Sequence, residues 1–569
     1  MKPLTIPVLL LLLVSCWQSG WTQGGNNGRF SGSLEANGNF FQADEVIGTP
    51  STPQYDYQLY GADAWMQLNY SNWGFDLGLR FDLFNNSILL NPTDSYTAQG
   101  IGRWYISKKI HKLDISVGYL YDQIGSGIIF RAFEQRPLLI DNALYGLRAG
   151  YELNENWKVK VFTGKQKQQF DTYASIIKGG SIDGFILGDS AKWSLAPGFG
   201  VTNRTLDDAS MDIVVGELAN YVTSDSLTPR YNTYAFSLYN TLSAGPFSWY
   251  VEGAYKTEDT FLDPFAERTL LNGDRILGKL VSRSGMVFYS TLGFAVKGIG
   301  GTLEYKRTEN FTYRTNPFVE LNRGQVNFLP PMTRVNTYRL TARYNAATQE
   351  LGEQALQFDF RYSPTRKLSF NVNVSNITTL PRVVDGQTTS EELLYREVYT
   401  EILYKYKRKW SLTGGLQYQN YNQAVFENKF GVPNVEAIIP YVDFLYKFSR
   451  KKSLRLEAQY MNVGQDEAAG AKQDYGDWLF GLAEFSVAPH WSFVISDMYN
   501  ITPGKNSPVQ ANGEKRELHY PRFDIFYTHK SNRFSLSYVK QVDGIVCTGG
   551  ICRLEPAFSG VKMTINTTF

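Results

Sequence analysis

Few side chains in this 569-residue chain have the type and spacing to do chemistry. Cys547 and Cys552 enclose Thr548-Gly549-Gly550-Ile551, and four intervening residues with two glycines let the chain turn back and bring the sulfurs within bonding range. Redox exchange or metal capture would call for a C-x-x-C spacing or a nearby histidine, and neither is present. The pair therefore reads as a disulfide clip on an exposed loop, worth about 2 kcal/mol on chain-entropy arithmetic. The histidines His111, His490, His519 and His529 are scattered, and none stands in a metal spacing such as H-E-x-x-H. His519 has Glu517 and Asp524 nearby, but one histidine among carboxylates is expected in so polar a stretch. The sequence assigns no catalytic residue, no metal ligand and no cofactor, and points away from an enzyme.

A different signal lies between Gly125 and Asn142. Arg131, Glu134, Arg136 and Asp141 are interleaved there with Ile128, Ile129, Phe130, Phe133, Leu138, Leu139 and Ile140. A loop so mixed is poorly suited to free solvent. One expectation is that it folds into an interior, where its four charges would form the constriction of a channel; the other is that it packs on its neighbours.

The elements that must position these residues are strands. Val561, Met563, Ile565, Thr567 and Phe569 fall on one face of the last run, and Lys562, Thr564, Asn566 and Thr568 on the other. The same period of two recurs over Trp73 to Leu83, Leu113 to Tyr119, Val442 to Phe448 and Leu454 to Tyr460. A soluble sandwich alternates too, with its apolar faces making a dry core. The connections discriminate between the two. Short polar turns such as Asn69 to Asn72, Ile110 to Lys112, Lys407 to Lys409 and Lys530 to Asn532 alternate with long connections such as Asp44 to Asp56, Thr202 to Arg230, Thr257 to Ser284, Asn420 to Glu436 and Val542 to Ser559. This asymmetry predicts a transmembrane antiparallel β-barrel with short periplasmic turns and long extracellular loops. Trp73, Trp157, Trp410 and Trp491 follow short turns and suggest an interfacial girdle. The runs number roughly 24, within a range of about 20 to 26. The up-down order breaks near Thr337 to Glu353, which reads as an inward-folded loop.

Composition agrees. Aromatic residues reach 15%, while a mean hydropathy of −0.29 with 19% charged residues excludes a bundle of membrane helices. The one long apolar run, Val8 to Val14, falls well short of the roughly 20 residues that a spanning helix needs, and reads as the core of a signal peptide for export. Cleavage near Gln23 would leave residues 24–569 as a single barrel domain; the competing Leu13-Val14-Ser15-Cys16 lipobox would lipidate Cys16 instead. A net charge of +2 provides no field for nucleic acid.

Taken together, the signal peptide, the alternating strands, the Cys547 to Arg553 hairpin and the closing Phe569 resemble an uncharacterised family of Bacteroidota outer-membrane β-barrels. The resemblance implies an integral outer-membrane location in contact with lipid, insertion by the barrel-assembly machinery, and Phe569 as the assembly signal. It brings no catalytic or ligand residues. The expected function is a channel or porin-like conduit for solutes; the alternative is a structural or assembly partner for a secreted protein or lipoprotein.

Overall fold

The computed structural model describes residues 28–569 apart from 45–58, 90–94, 139, 189–191, 382, 385–386, 389, 510–512, 516–517, 542–543, 549–550 and 556. The alternating runs form one antiparallel sheet in which each strand pairs with the strands before and after it. The sheet closes on itself, because the first strand, Arg29–Phe41, pairs with the last, Phe558–Thr568, from Ser33↔Thr568 to Phe41↔Gly560. Ile186–Leu187 prolongs Asp171–Gly184 against the same partner, Trp193–Thr205, so the barrel has 24 strands. Closure leaves no strand edge whose N–H and C=O groups would go unpaired in lipid.

Alternation decides which way each side chain points, and the distribution is inverted relative to a soluble protein. Trp249 and Tyr255 are exposed on Phe247–Thr269 while Glu252 and Lys256 between and beside them are buried. On Leu393–Tyr406, Val398 and Ile402 are exposed while Glu397 and Tyr399 are buried. The outer face is thus an apolar belt that includes Phe236, Leu238, Phe288, Leu356 and Phe358, the surface a bilayer would cover. A sandwich with two apolar faces turned inward is excluded.

Both ends of the barrel lie at the rim of short turns, since Arg29 pairs with Ser71 beside the Trp73-Gly74 turn. Aromatic clusters line this rim: Trp410 contacts Tyr404, Tyr406 and Phe444, and Trp491 contacts Phe493 and Tyr527.

At the opposite rim one expectation needs correction. Thr257 to Ser284 is not a loop: Phe247–Thr269 and Arg275–Val296 continue as one paired ribbon to Thr269↔Arg275. The polar residues that suggested a loop sit on a ribbon that continues past its neighbours, where helix Asp208–Leu218, capped by Asp207, packs Val214 and Leu218 against Leu280. Residues 310–351 contain no strand and turn into the barrel, as the broken up-down order predicted for their second half.

Candidate functional site

Among the described residues, two segments of the chain's own connections enter the lumen. Residues 121–143 leave and return at the paired positions Leu120 and Leu144, and residues 310–351 at the paired positions Glu309 and Gly352. The two segments are joined to each other: Arg131 N donates to Val326 O (2.9 Å), Phe328 N to Gly127 O (2.9 Å), and Asn142 Nδ2 to Gln325 O (3.1 Å). Together they make a plug. Ile124, Ile128, Ile129, Phe130, Phe311 and Tyr313 pack against one side of the barrel wall. Met332, Leu340, Tyr344 and Ala346 pack against the other, on Tyr395, Tyr421, Val435 and Trp478.

A plug with almost no regular structure leaves its backbone groups to be satisfied by other partners. The barrel wall supplies them from long polar side chains at inward positions. Arg204 Nη1 donates to Arg314 O (2.9 Å), Lys256 Nζ to Thr312 O (2.5 Å), Ser175 Oγ to Thr315 O (2.6 Å), and Gln419 Nε2 to the carbonyls of Thr341 and Tyr344 (both 3.1 Å). Lys306 donates to Pro330 O and forms an ion pair with Glu353 at 2.6 Å. In the other direction, Glu252 accepts from the backbone N (3.0 Å) and hydroxyl (2.5 Å) of Ser126, and Gln459 Oε1 accepts from Leu340 N (2.8 Å). These inward polar residues, Arg204, Glu252, Lys256, Lys306, Gln419 and Gln459, carry no sequence signal beyond being polar at inward positions of strands.

Three of the four charges singled out between Gly125 and Asn142 converge on one wall. Arg80, 1% exposed, donates to both oxygens of Asp82 (2.7 and 2.8 Å), to Glu134 Oε1 (2.6 Å) and to Asp141 Oδ2 (2.7 Å). Lys167 joins Asp141, which also accepts from the Tyr121 hydroxyl (2.9 Å). Arg136 bridges Glu134 (2.9 Å) to Glu35 (2.7 Å) on the first strand. Burial would lift the Asp141 carboxyl, but Lys167 and Arg80 outweigh it and hold it below the usual carboxylate range. Gly102 makes room for this cluster, since a side-chain carbon there would lie 1.8 Å from Asp82. Arg131 stands apart, stacked over Phe133 (4.4 Å) and Phe328 (4.2 Å). Taking one partner out of a buried ionic cluster of this kind typically costs about 3–5 kcal/mol.

The other predicted positions fall as follows. Phe569 pairs with Gly32 through two backbone hydrogen bonds at the rim of short turns. Cys547 and Cys552 are opposite residues of the hairpin Gly544–Thr548 and Ile551–Glu555, and their side chains lie outside the described residues, as does Cys16. His519 Nδ1 contacts Asp497 Oδ2 at 2.6 Å on the outer face, while Asp524 is buried and held by Arg522; Glu517 lies outside the described residues. His111 sits in a turn, and His490 stacks with His529. Among the described residues no group of three metal-ligating side chains comes together.

Residues 1–569 match the model of a family of unknown function (DUF6029). The chain belongs to that family. No curated protein matches this DUF6029 chain. Solved structures similar to it include the translocation pore of the P pilus usher PapC, at 10% identity and a TM-score of 0.40 over 95% of this chain and 99% of that one. The siderophore receptor PirA from Pseudomonas aeruginosa matches at 9% identity and 0.40 over 96% and 81%, and OccK5 (OpdH) from the same organism at 12% and 0.34 over 77% and 98%.

Proposed function

We propose that the protein is an outer-membrane conduit of the Bacteroidota type whose lumen is closed at rest by its own connections and opens when residues 310–351 leave their seat. The observation that carries this reading is the polar lumen wall bonded to the plug through side chains: Arg204, Lys256, Gln419 and Gln459 hold plug backbone, and the same groups would line a hydrated passage once it moved. A barrel of 24 strands encloses a lumen wide enough for water unless loops fill it, and here they do. In this reading the short turns and both ends of the barrel face the periplasm, and the long connections face outward.

The test is conductance in planar bilayers. Full-length protein should be silent or show brief small openings, whereas a variant with residues 315–347 replaced by a short Gly/Ser linker should show large steady openings. A truncated variant that inserts, keeps its heat-dependent gel mobility and still does not conduct would remove the conduit reading.

A further inference from the structure

The plug does not cover the whole wall. On the inner side of the strands Gly476–Val487, Trp491–Pro503, His519–His529 and Asn532–Gln541 a cavity of about 330 Å³ remains. Part of its floor is apolar, with Phe480, Leu482, Val494 and Phe526 at inward positions. A water-filled passage has no need of these side chains, and of the four only Phe480 borders the plug's seat, which lies on Trp478, Met498 and Tyr520; Leu482, Val494 and Phe526 are outside it.

Over this floor hangs Arg339, from the plug. Its guanidinium is ringed by protein yet open to the cavity, and it has no hydrogen bond or ion pair among the described residues. The other charges of the cavity are already matched. Arg522 grips Asp524 through Nε and Nη2 at 2.9–3.0 Å, Lys540 holds Asp44 at 2.8 Å, and Glu484 accepts from Ser492 (2.8 Å) with Arg455 at 3.9 Å. Burial first, and then Arg343 and Arg522, push Arg339 below the ordinary arginine value, with Glu555 opposing them. The plug itself supplies excess positive charge here, since residues 310–351 carry five arginines against two glutamates.

We infer that this cavity is a binding site for a small organic monoanion with an apolar body, such as an aromatic or short-chain carboxylate, whose charge pairs with Arg339 and whose body lies on Phe480, Leu482, Val494 and Phe526. An arginine with five donors and no acceptor beside an apolar floor is complementary to that class and to neither a sugar nor a cation. The site deepens the conduit reading by naming the solute, but binding can be measured without transport.

The probe is 3-phenylpropionate, titrated calorimetrically into the full chain in lipid nanodiscs, with 3-phenylpropionamide as the uncharged control. The acid should bind, and the amide should bind at least about tenfold more weakly. Arg339→Gln should lose a similar factor and Arg339→Lys should recover part of it. Val494→Trp, which fills the floor without touching a charge, should abolish binding; it decides the matter if Arg339→Gln fails to show heat-dependent gel mobility. Absence of acid binding, equal affinity for acid and amide, or unchanged affinity in both Arg339→Gln and Val494→Trp overturns the site. Binding as expected by a protein whose plug-truncated form does not conduct would keep the site and remove the conduit; open pores with no binding would do the reverse.

Discussion

The ring of Phe569 lies across Gly32. Their backbones exchange two hydrogen bonds, Gly32 N to Phe569 O at 2.8 Å and Phe569 N to Gly32 O at 2.9 Å, and a carbon added at Gly32 would fall 2.4 Å from the ring. Phe30, exposed on the same outer face, is the ring's other neighbour, with centroids 6.4 Å apart. The last residue of the chain is therefore part of the seam that closes the barrel, on its lipid side at the rim of short turns.

From this seam we predict that deleting Phe569 lowers the amount of protein in the outer membrane, with unfolded chain degraded before insertion. Gly32→Val should have a milder effect in the same direction, because it displaces the ring without removing it. Membrane fractionation with quantitative blotting checks both. Unchanged abundance after the deletion would separate the seam from assembly.

Arg136 and Arg131 should behave differently. Arg136 bridges Glu134 and Glu35, so Arg136→Ala leaves Glu35 without its cation and Glu134 with Arg80 alone, and should shift ion selectivity toward cations. Arg131 stacks on Phe133 and Phe328, so Arg131→Ala should loosen the plug and lengthen openings with a smaller change in selectivity. Reversal potentials and open times in planar bilayers measure the two effects. Open pores indifferent to both substitutions would discard this segment as a constriction.

Acid should weaken the hold of the long-loop rim on the plug. Asp474 accepts from Tyr344 of the plug (2.8 Å), from Lys429 (3.0 Å) and from Asn506 (2.9 Å). Burial alone would raise its carboxyl, but Arg343 and Lys429 outweigh that and hold it below the usual carboxylate value. A folded value below the unfolded one means the contribution is complete above the unfolded pKa of about 3.9 and is lost as pH falls through the folded value. Hydrogen exchange in residues 332–346 should therefore be slow at pH 7 and, after correction for intrinsic rates, less protected below about pH 4. Asp474→Asn should show reduced protection already at pH 7 and a flatter pH response.

The thiols give a prediction that mass measurement decides. Cys547 and Cys552 are opposite one another in their hairpin, and in mature protein they should resist alkylation until reductant is added. The same spectrum should show the chain starting after residue 23, without Cys16. A lipid adduct on Cys16, or two alkylated loop cysteines without reductant, would count against the corresponding expectation.

The barrel was legible because its strands obey a local rule. Outward residues such as Trp249, Phe288 and Val398 repeat every second position, and no knowledge of their neighbours is needed to see it. The ribbon over Thr257 to Ser284 was misread because it continues past its neighbouring strands, where polar residues on a strand look like a loop. The plug was legible only in part. Gly125 to Asn142 gave itself away by mixing charges with isoleucines, whereas residues 310–351 have no period, and their partners are remote in sequence: Lys256 for Thr312, Gln419 for Thr341, Asp474 for Tyr344. Arg80 carries no local signal of its role, since its bonds to Glu134 and Asp141 connect positions that only the folded barrel brings together.

Because Glu309 faces Gly352 and Leu120 faces Leu144, each plug segment is a ligand tied at both ends beside its own receptor. Such tethering sets an effective concentration on the order of millimolar, whatever the amount of protein in the membrane. Occupancy of the lumen is then a property of the single molecule: it does not fall on dilution, and a free peptide copying residues 332–346 would have to approach that concentration before it could displace the chain's own copy.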